Sequence, residues 1–323
     1  MRIFVVFALG AGLLAQNPQL TRPDGQIPII TENVDVVNIL ASVRDKRGGL
    51  VGNLEKSDFT VLEDGKPQEI KYFARETDLP LTIGLLIDVS RSQENLIDVE
   101  RSAASEFFSQ VLRAKDEAFL ISFGEDSELL QDYTNSARLL TSAMNGLRVS
   151  SGVGGLGPGP VPTAGGPRGT VLYDAIFVAA TDKLTTEVGR KVIVVITDGV
   201  DEGSKLKIEN AIEAAQKADA VIYSIDYSDP AFRGFGSFGG GEGYLRRMSD
   251  ATGGQVFRVD RSHPLAAVFR EIQDEMRSQY AIGYTPTNSL KDGSYRRLTI
   301  RAADKTMKVQ ARQGYYAIKP SSR

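Results

Sequence analysis

Asp88, Ser90 and Ser92 form an Asp-x-Ser-x-Ser motif at the end of the apolar run Leu81–Ile87, and two single residues downstream, Thr170 and Asp198, complete a set of five oxygen donors. Two carboxylates and three hydroxyls suit a hard divalent cation. All-oxygen donors match Mg²⁺, which favours octahedral geometry and keeps waters; Mn²⁺ and Ca²⁺ also accept such donors. Only two of the five are anionic, so a bound cation is barely neutralised and still attracts a carboxylate from outside the chain into an open sixth position. That chemistry grips an acid; it does not by itself break a bond. The catalytic alternative is short of residues. There is no cysteine, and His263 is the only histidine, so thiolate sites, Cys nucleophiles and His-rich zinc sites are excluded. A metal-assisted hydrolase needs a general base beside the metal-bound water, and none clusters with these donors in the sequence.

Such donors must be carried by elements that bring them together. LTIGLLI has the continuous hydrophobicity of a strand buried on both faces, so Asp88 ends a central strand and the residues after it open a helix. Asp198 ends a similar run, Val192–Thr197, and Thr170 precedes the helical Val171–Ala175. Further buried strands are expected at Ala118–Phe123, Ala220–Asp226 and Gln255–Val259, with Ser127–Tyr133 folding back as a hairpin through Gly124-Glu125-Asp126. Helical periods fit Gln93–Leu112, Ser136–Leu147, Val171–Lys183, Leu206–Lys217, Gly243–Asp250 and Pro264–Gln279, the last capped by Ser262. Strands alternating with helices over 80–278 predict an α/β domain: a doubly wound, mostly parallel, Rossmann-like sheet, with ligands received outside the carboxyl ends of its strands.

On either side the pattern changes to strands alone. Residues 27–76 hold Val34–Val43, Phe59–Leu62 and Gln68–Phe73, with Asp64-Gly65 as a hairpin turn. Residues 280–318 hold Tyr280–Tyr284, Arg296–Arg301, Lys308–Ala311 and Gly314–Ile318. Isolated sheets of two or three strands are marginal, so the economical expectation is one β-sandwich built from both flanks, with the α/β domain inserted between them. Two segments are low in complexity: the Gly/Pro-rich 150–169, and 229–243, where Phe232, Phe235 and Phe238 sit among glycines like a contact surface.

Asp88-Val89-Ser90-Arg91-Ser92, Gly169-Thr170-Val171-Leu172-Tyr173-Asp174-Ala175 and Thr197-Asp198-Gly199 resemble, without substitution, the metal ion-dependent adhesion site of von Willebrand factor type A domains. The resemblance covers about 80–278. The flanks, through Asp58–Gly65, Tyr280–Tyr284 and Ala311–Tyr316, resemble the secreted, acidobacterial-type VWFA-related family. The resemblance implies that Ser90 and Ser92 bind the metal directly, that Thr170 does so directly or through water, and that Asp88 and Asp198 act directly or through water. The bland readings are helix caps for Ser90 and Ser92 and a turn for Asp198 at Gly199. Asp174 reads as structural, and Asp201 and Glu202 as first-turn acids of the following helix.

A formal charge of −3 with no obvious basic face speaks against nucleic acid as a partner. Arg2, the apolar Ile3–Ala15 and the polar Gln16-Asn17-Pro18 have the layout of a secretory signal peptide over 1–15, too short to span a bilayer comfortably. The expected protein is secreted or periplasmic, has no membrane span once processed, is not an enzyme, and binds a protein ligand that supplies an Asp or Glu carboxylate. The alternative is an envelope assembly protein whose metal only rigidifies the fold.

Overall fold

The computed structural model describes residues 36–76, 79–149, 169–227 and 240–318. The signal-peptide reading at 1–15, the first residues of the 27–76 segment, the Gly/Pro-rich 150–168 and the three phenylalanines within 228–239 lie outside these residues.

The first strand, β1 (Val37–Arg44), turns Ile39, Ala41 and Val43 inward, the period-two face that its sequence shows. β2 (Phe59–Glu63) and β3 (Lys66–Gln68) form the Asp-Gly hairpin, with Asp64 and Gly65 both at positive φ (48° and 80°) as a two-residue turn of this twist requires. One expectation is corrected here. Gln68–Phe73 is not a single strand: the chain changes sheet at Glu69, and β4 (Ile70–Glu76) pairs elsewhere. The tail strands β11 (Gln279–Tyr284), β12 (Tyr295–Ala302), β13 (Lys308–Ala311) and β14 (Gly314–Tyr316) interleave with those of the head. One sheet has the order β13-β1-β11-β4, the other β14-β12-β2-β3. Their inner faces share one core of Ile39, Ala41, Val43, Phe59, Val61, Ile70, Tyr280, Ile282, Tyr284 and Leu298. Neither flank completes a sheet alone, so each closes the other.

Between the flanks, β5 (Leu81–Asp88), β8 (Arg190–Thr197) and β9 (Ala220–Asp226) are buried at every residue. With β6 (Glu117–Phe123), β10 (Val256–Arg258) and the antiparallel edge strand β7 (Ser127–Thr134), they form a six-stranded sheet of order β10-β9-β8-β5-β6-β7. One face of this sheet packs on α1 (Ile97–Val111), α2 (Ala137–Met144) and α6 (Leu265–Arg277); the other packs on α3 (Leu172–Val178), α4 (Ile208–Lys217) and α5 (Gly240–Thr252). This is the expected doubly wound α/β architecture. Among the described residues no helix is long and apolar enough to cross a membrane.

Three local expectations change. The helix after the Asp-x-Ser-x-Ser motif begins at Ile97, and Arg91–Gln93 form a separate 3₁₀ turn. Val171–Lys183 starts as α3 and widens into a π turn over Ala179–Leu184. Ser262 does not cap α6: its N–H and hydroxyl, and the N–H of His263, all donate to Asp260 Oδ1, and Pro264 precedes the first turn of α6.

The α/β domain and the sandwich meet at the amino ends of the parallel strands. Buried Arg190 at the start of β8 donates to the Met276 carbonyl near the end of α6, and Gln310 of β13 donates to the Gly254 carbonyl before β10. At the centre of the junction, fully buried Glu275 of α6 accepts hydrogen bonds from Ser42 (3.1 Å) and Arg44 (2.6 Å) of β1 and from Gln255 (2.6 Å). The opposite end of the sheet, where the carboxyl ends lie, is thereby left to the site.

Candidate metal centre

The chain runs from β5 to β6 on one side and later returns to β8 on the other, so the order of connection reverses between β8 and β5. In an open α/β sheet that reversal leaves a crevice at the carboxyl ends. Asp88 is the last residue of β5. Ile87 pairs with Ile196, which brings Asp88 level with Thr197 on one side, and Asp88 itself pairs with Phe123 on the other.

Both carboxylate oxygens of Asp88 are engaged. Its Oδ1 accepts the Ser90 N–H at 2.8 Å and its Oδ2 accepts the Thr197 hydroxyl at 2.6 Å, within a fully buried environment. Burial pushes its carboxyl up to about 7, against the pull of the Ser90 and Thr197 hydrogen bonds, and the Asp198 charge adds to the rise. Thr197 in turn accepts the Gly199 N–H at 3.1 Å, so one threonine hydroxyl ties two strand ends together.

The hydroxyls of Ser90 and Ser92 lie 3.1 Å apart. Neither acts as a helix cap: Ser90 precedes the 3₁₀ turn without a side-chain cap bond, and α1 starts five residues beyond Ser92, with Leu96 at its N-cap. The two hydroxyls share a hydrogen bond, and as neutral oxygen donors they are of the type a hard divalent cation accepts.

Asp198 follows β8 directly and is half-buried, its Oδ1 accepting the Val200 N–H at 3.1 Å across the Gly199 turn. The turn reading of Asp198 is therefore correct for one oxygen. Thr170 reaches the rim through its backbone. The N–H of the next residue, Val171, donates to the Gly124 carbonyl just past β6, while the Thr170 carbonyl accepts the N–H groups of Glu202 and Gly203. Gly169 is required there, since a Cβ would stand 2.3 Å from that of Glu202. The structure thus links Asp88, Ser90 and Ser92 through direct hydrogen bonds, sets Asp198 directly after β8, and holds Thr170 before α3 by backbone bonds to the loops that follow β6 and β8. The Thr170 hydroxyl makes no hydrogen bond to the other four.

Asp174 and Asp201 serve the frame. Asp174 accepts the N–H groups of Lys205 and Leu206, the structural role expected of it. Asp201 is not a first-turn acid of α4, which begins at Ile208, and neither is Glu202. Instead Asp201 accepts from Tyr173 N–H and from the Ser204 hydroxyl, holding the start of α3 against the loop after β8. Among the described residues no three His, Asp or Glu side chains converge, so this centre depends on its hydroxyls.

The motif pattern shows Thr197 without its role, which is to orient Asp88, and does not show two further contributors: Gln93 lies fully buried beside Ser92, and Gly241 in the first turn of α5 seats on the carbonyl of Asp198. A Cβ at Gly241 would stand 2.1 Å from that carbonyl. Gly241→Ala is therefore expected to push α5 off the rim and cost about 1–3 kcal/mol, read as a lower denaturation midpoint.

Glu100 on α1 is also buried, and its carboxyl is held well above the usual range by burial and by the charge of Asp88. Asp88 and Glu100 both keep their protons in the folded chain at pH values where the unfolded chain has released them. Their contribution to stability is complete below the unfolded value near 4 and falls as pH rises, that of Asp88 being lost as pH passes about 7. Chelator-treated protein is expected to melt lower at pH 8 than at pH 5, checked by thermal unfolding in matched buffers with the two acids replaced singly by their amides.

No family model matches the chain and no curated protein matches it. Among solved structures, it is similar to a von Willebrand factor type A protein from Catenulispora acidiphila (15% identity, 76% of this chain and 51% of that one, TM-score 0.44). It is also similar to an aerotolerance-related membrane protein from Bacteroides fragilis (17% identity, 61% and 98%, TM-score 0.45). A third is proximal thread matrix protein 1 from the mussel byssus, in a form whose MIDAS motif is occupied by zinc (12% identity, 63% and 50%, TM-score 0.45). The chain spans about half the length of the Catenulispora and byssus proteins.

Proposed function

We propose that this chain is an exported, divalent-cation-dependent protein-binding module of the von Willebrand factor type A kind. In this reading Ser90, Ser92 and Thr170 supply hydroxyls, Asp88 and Asp198 supply charge, and Mg²⁺ is the resident ion, with Mn²⁺ or Ca²⁺ as substitutes. The observation that carries it is the pair of uncapped hydroxyls, Ser90 and Ser92, 3.1 Å apart beside a buried carboxylate at the switch point of the sheet. The cation would supply Lewis acidity toward one carboxylate of a protein partner. The chain's own residues do the rest: Thr197 and the Ser90 N–H hold both Asp88 oxygens, so Asp88 keeps its orientation.

Binding is favoured over hydrolysis by the placement of the one histidine. His263 follows β10 and is engaged by α6, its Nε2 lying 2.7 Å from Glu271 Oε1. Export rests on the signal-peptide layout of 1–15.

The test is a pull-down of partner proteins on immobilised wild type and Asp88→Ala, each with Mg²⁺ and with EDTA, the fold of both verified by circular dichroism. Recovery that needs both Mg²⁺ and Asp88 supports the reading. If the same proteins are recovered from both baits with and without EDTA, adhesion through a metal is wrong. A metal that raises the melting temperature but changes no recovery identifies the purely stabilising role instead.

A further inference from the structure

The formal charge of −3 conceals a division that appears only once the chain is folded. The described residues of the α/β domain carry more Asp and Glu than Lys and Arg, and those of the β-sandwich carry the reverse. The reversal lies in the tail, where 280–318 holds seven Lys or Arg and two Asp, with no Glu. A surface of mixed sign serves solubility, whereas a field of one sign serves attraction to an opposite charge.

Strand pairing gathers cations of head and tail at one end of the sandwich. β1 and β13 are antiparallel, with Arg44 opposite Lys308, so the turn that leaves β1 (45–49) and the connection that enters β13 (303–307) emerge at the same end. Asp304 in the connection is held below its ordinary range by Thr306 and, less strongly, by the charge of Lys46 in the turn. Lys46, Arg47, Lys305 and Lys308 are all exposed there, and exposed Arg301, near the end of β12, leads into the same connection. The two acids of these turns shape the backbone: Asp45 Oδ1 accepts the N–H groups of Arg47 and Gly49, and Asp304 Oδ1 accepts that of Thr306. The ion pairs of the sandwich engage Arg44, Lys71, Arg75, Arg296 and Arg312, and among the described residues none includes the five exposed cations of this end.

Their arrangement selects the kind of anion. A single bound phosphate needs donors that converge on a hollow. Here the side chains stand on projecting turns: 46–49 and 303–306 are exposed throughout, and a Cβ at Gly48 would meet nothing within 4 Å. Charge spread over a protruding end suits a plane of negative charge. We propose that this end of the sandwich, through Lys46, Arg47, Arg301, Lys305 and Lys308, docks on the anionic headgroups of a phospholipid bilayer. The attachment is peripheral and electrostatic. It uses the sandwich, whereas the candidate metal centre lies at the carboxyl ends of the α/β sheet, so the two surfaces do not compete.

The experiment measures co-sedimentation with vesicles of phosphatidylglycerol and phosphatidylcholine in equal parts, and with phosphatidylcholine alone. EDTA is present, so the metal centre takes no part. The protein is the chain without residues 1–15, the form that export leaves, which keeps every described residue. Wild type is expected to bind the anionic vesicles and not the neutral ones. It should be released as salt rises from about 0.1 M to about 1 M, which shortens the screening length from about 10 Å to about 3 Å. Lys46→Glu, Arg47→Glu, Lys305→Glu and Lys308→Glu combined should weaken binding more than about a hundredfold, since each basic residue near such a surface strengthens adsorption about fivefold. Replacing the same four by Gln should lose an intermediate amount, and carries the test should the reversed variant fold poorly. A control reversed at Arg138, Lys205, Lys207 and Arg261, exposed cations of the α/β domain, should stay within about threefold of wild type, because charges beyond the screening length contribute little. No binding to anionic vesicles, equal binding to neutral ones, or unchanged binding by the folded turn variants overturns the proposal. A loss in the control as large as in the turn variant also overturns it, because it marks net charge and not this end of the sandwich. So does capture of soluble polyphosphate without capture of vesicles, which marks a polymer as the partner.

Discussion

A Glu275→Ala variant is expected to lose about 3–5 kcal/mol of stability, the range found when one partner of a buried ion pair is removed. Glu275 is fully buried at the end of α6 and binds three donors from two other parts of the chain: Ser42 and Arg44 on β1, and Gln255 before β10. Its charge also helps to hold the buried Tyr223 hydroxyl far above its ordinary range, after burial itself. Truncation leaves Arg44 with the Gly48 carbonyl and removes the acceptor of the buried Ser42 hydroxyl and of the Gln255 amide. The melting temperature should fall by roughly 10 °C for a chain of this size. Glu275→Gln, which retains the shape and one acceptor, should fall by less. A loss below 1 kcal/mol in the alanine variant would show that the junction between sandwich and α/β domain is not held at this point.

A Thr197→Val variant tests the site in the same way. It is nearly isosteric and removes one hydroxyl, whose 2.6 Å bond fixes Asp88 Oδ2 and whose oxygen receives the Gly199 N–H. Partners that orient a metal-binding group typically govern 10- to 100-fold of its metal affinity. That loss is expected here for Mn²⁺, measured by calorimetry, together with about 1–3 kcal/mol of stability for the acceptor left unmet. Wild-type Mn²⁺ affinity in a folded Thr197→Val protein would remove Asp88 from any metal centre.

Much of this arrangement was legible in the chain itself, and the reasons are local. LTIGLLI and VIVVIT are apolar without alternation, and only a strand covered on both faces uses such a run. The Asp-x-Ser-x-Ser motif after the first of these runs placed its donors at a carboxyl end because helix signals follow it. Other features resisted. The sheet change at Glu69 carries no sequence mark, since Gln68–Phe73 is a good strand in either sheet. Ser262 lost its capping role to Asp260, a competition between neighbouring acceptors that composition does not rank. Asp201 looked like a first-turn acid because proximity in sequence favours α4, whereas its partners Tyr173 and Ser204 are brought to it by the packing of α3.

Periodicity and turn residues were enough for the α/β class and for the strand-only flanks, and motif order pointed to Asp88, Ser90, Ser92, Thr170 and Asp198 as candidates. Those properties follow from each residue's own backbone and burial preference, which acts over a few neighbours. Contact across the chain decided the rest. Thr197 became the keeper of Asp88 through a strand pairing more than a hundred residues away in sequence, and Gly241 became a seat for Asp198 because α5 lands there. Gln93 and Glu100 read as an ordinary polar start and face of a helix until packing buried them, Gln93 beside Ser92. Burial and pairing depend on where distant segments meet, and no single stretch of sequence holds that information.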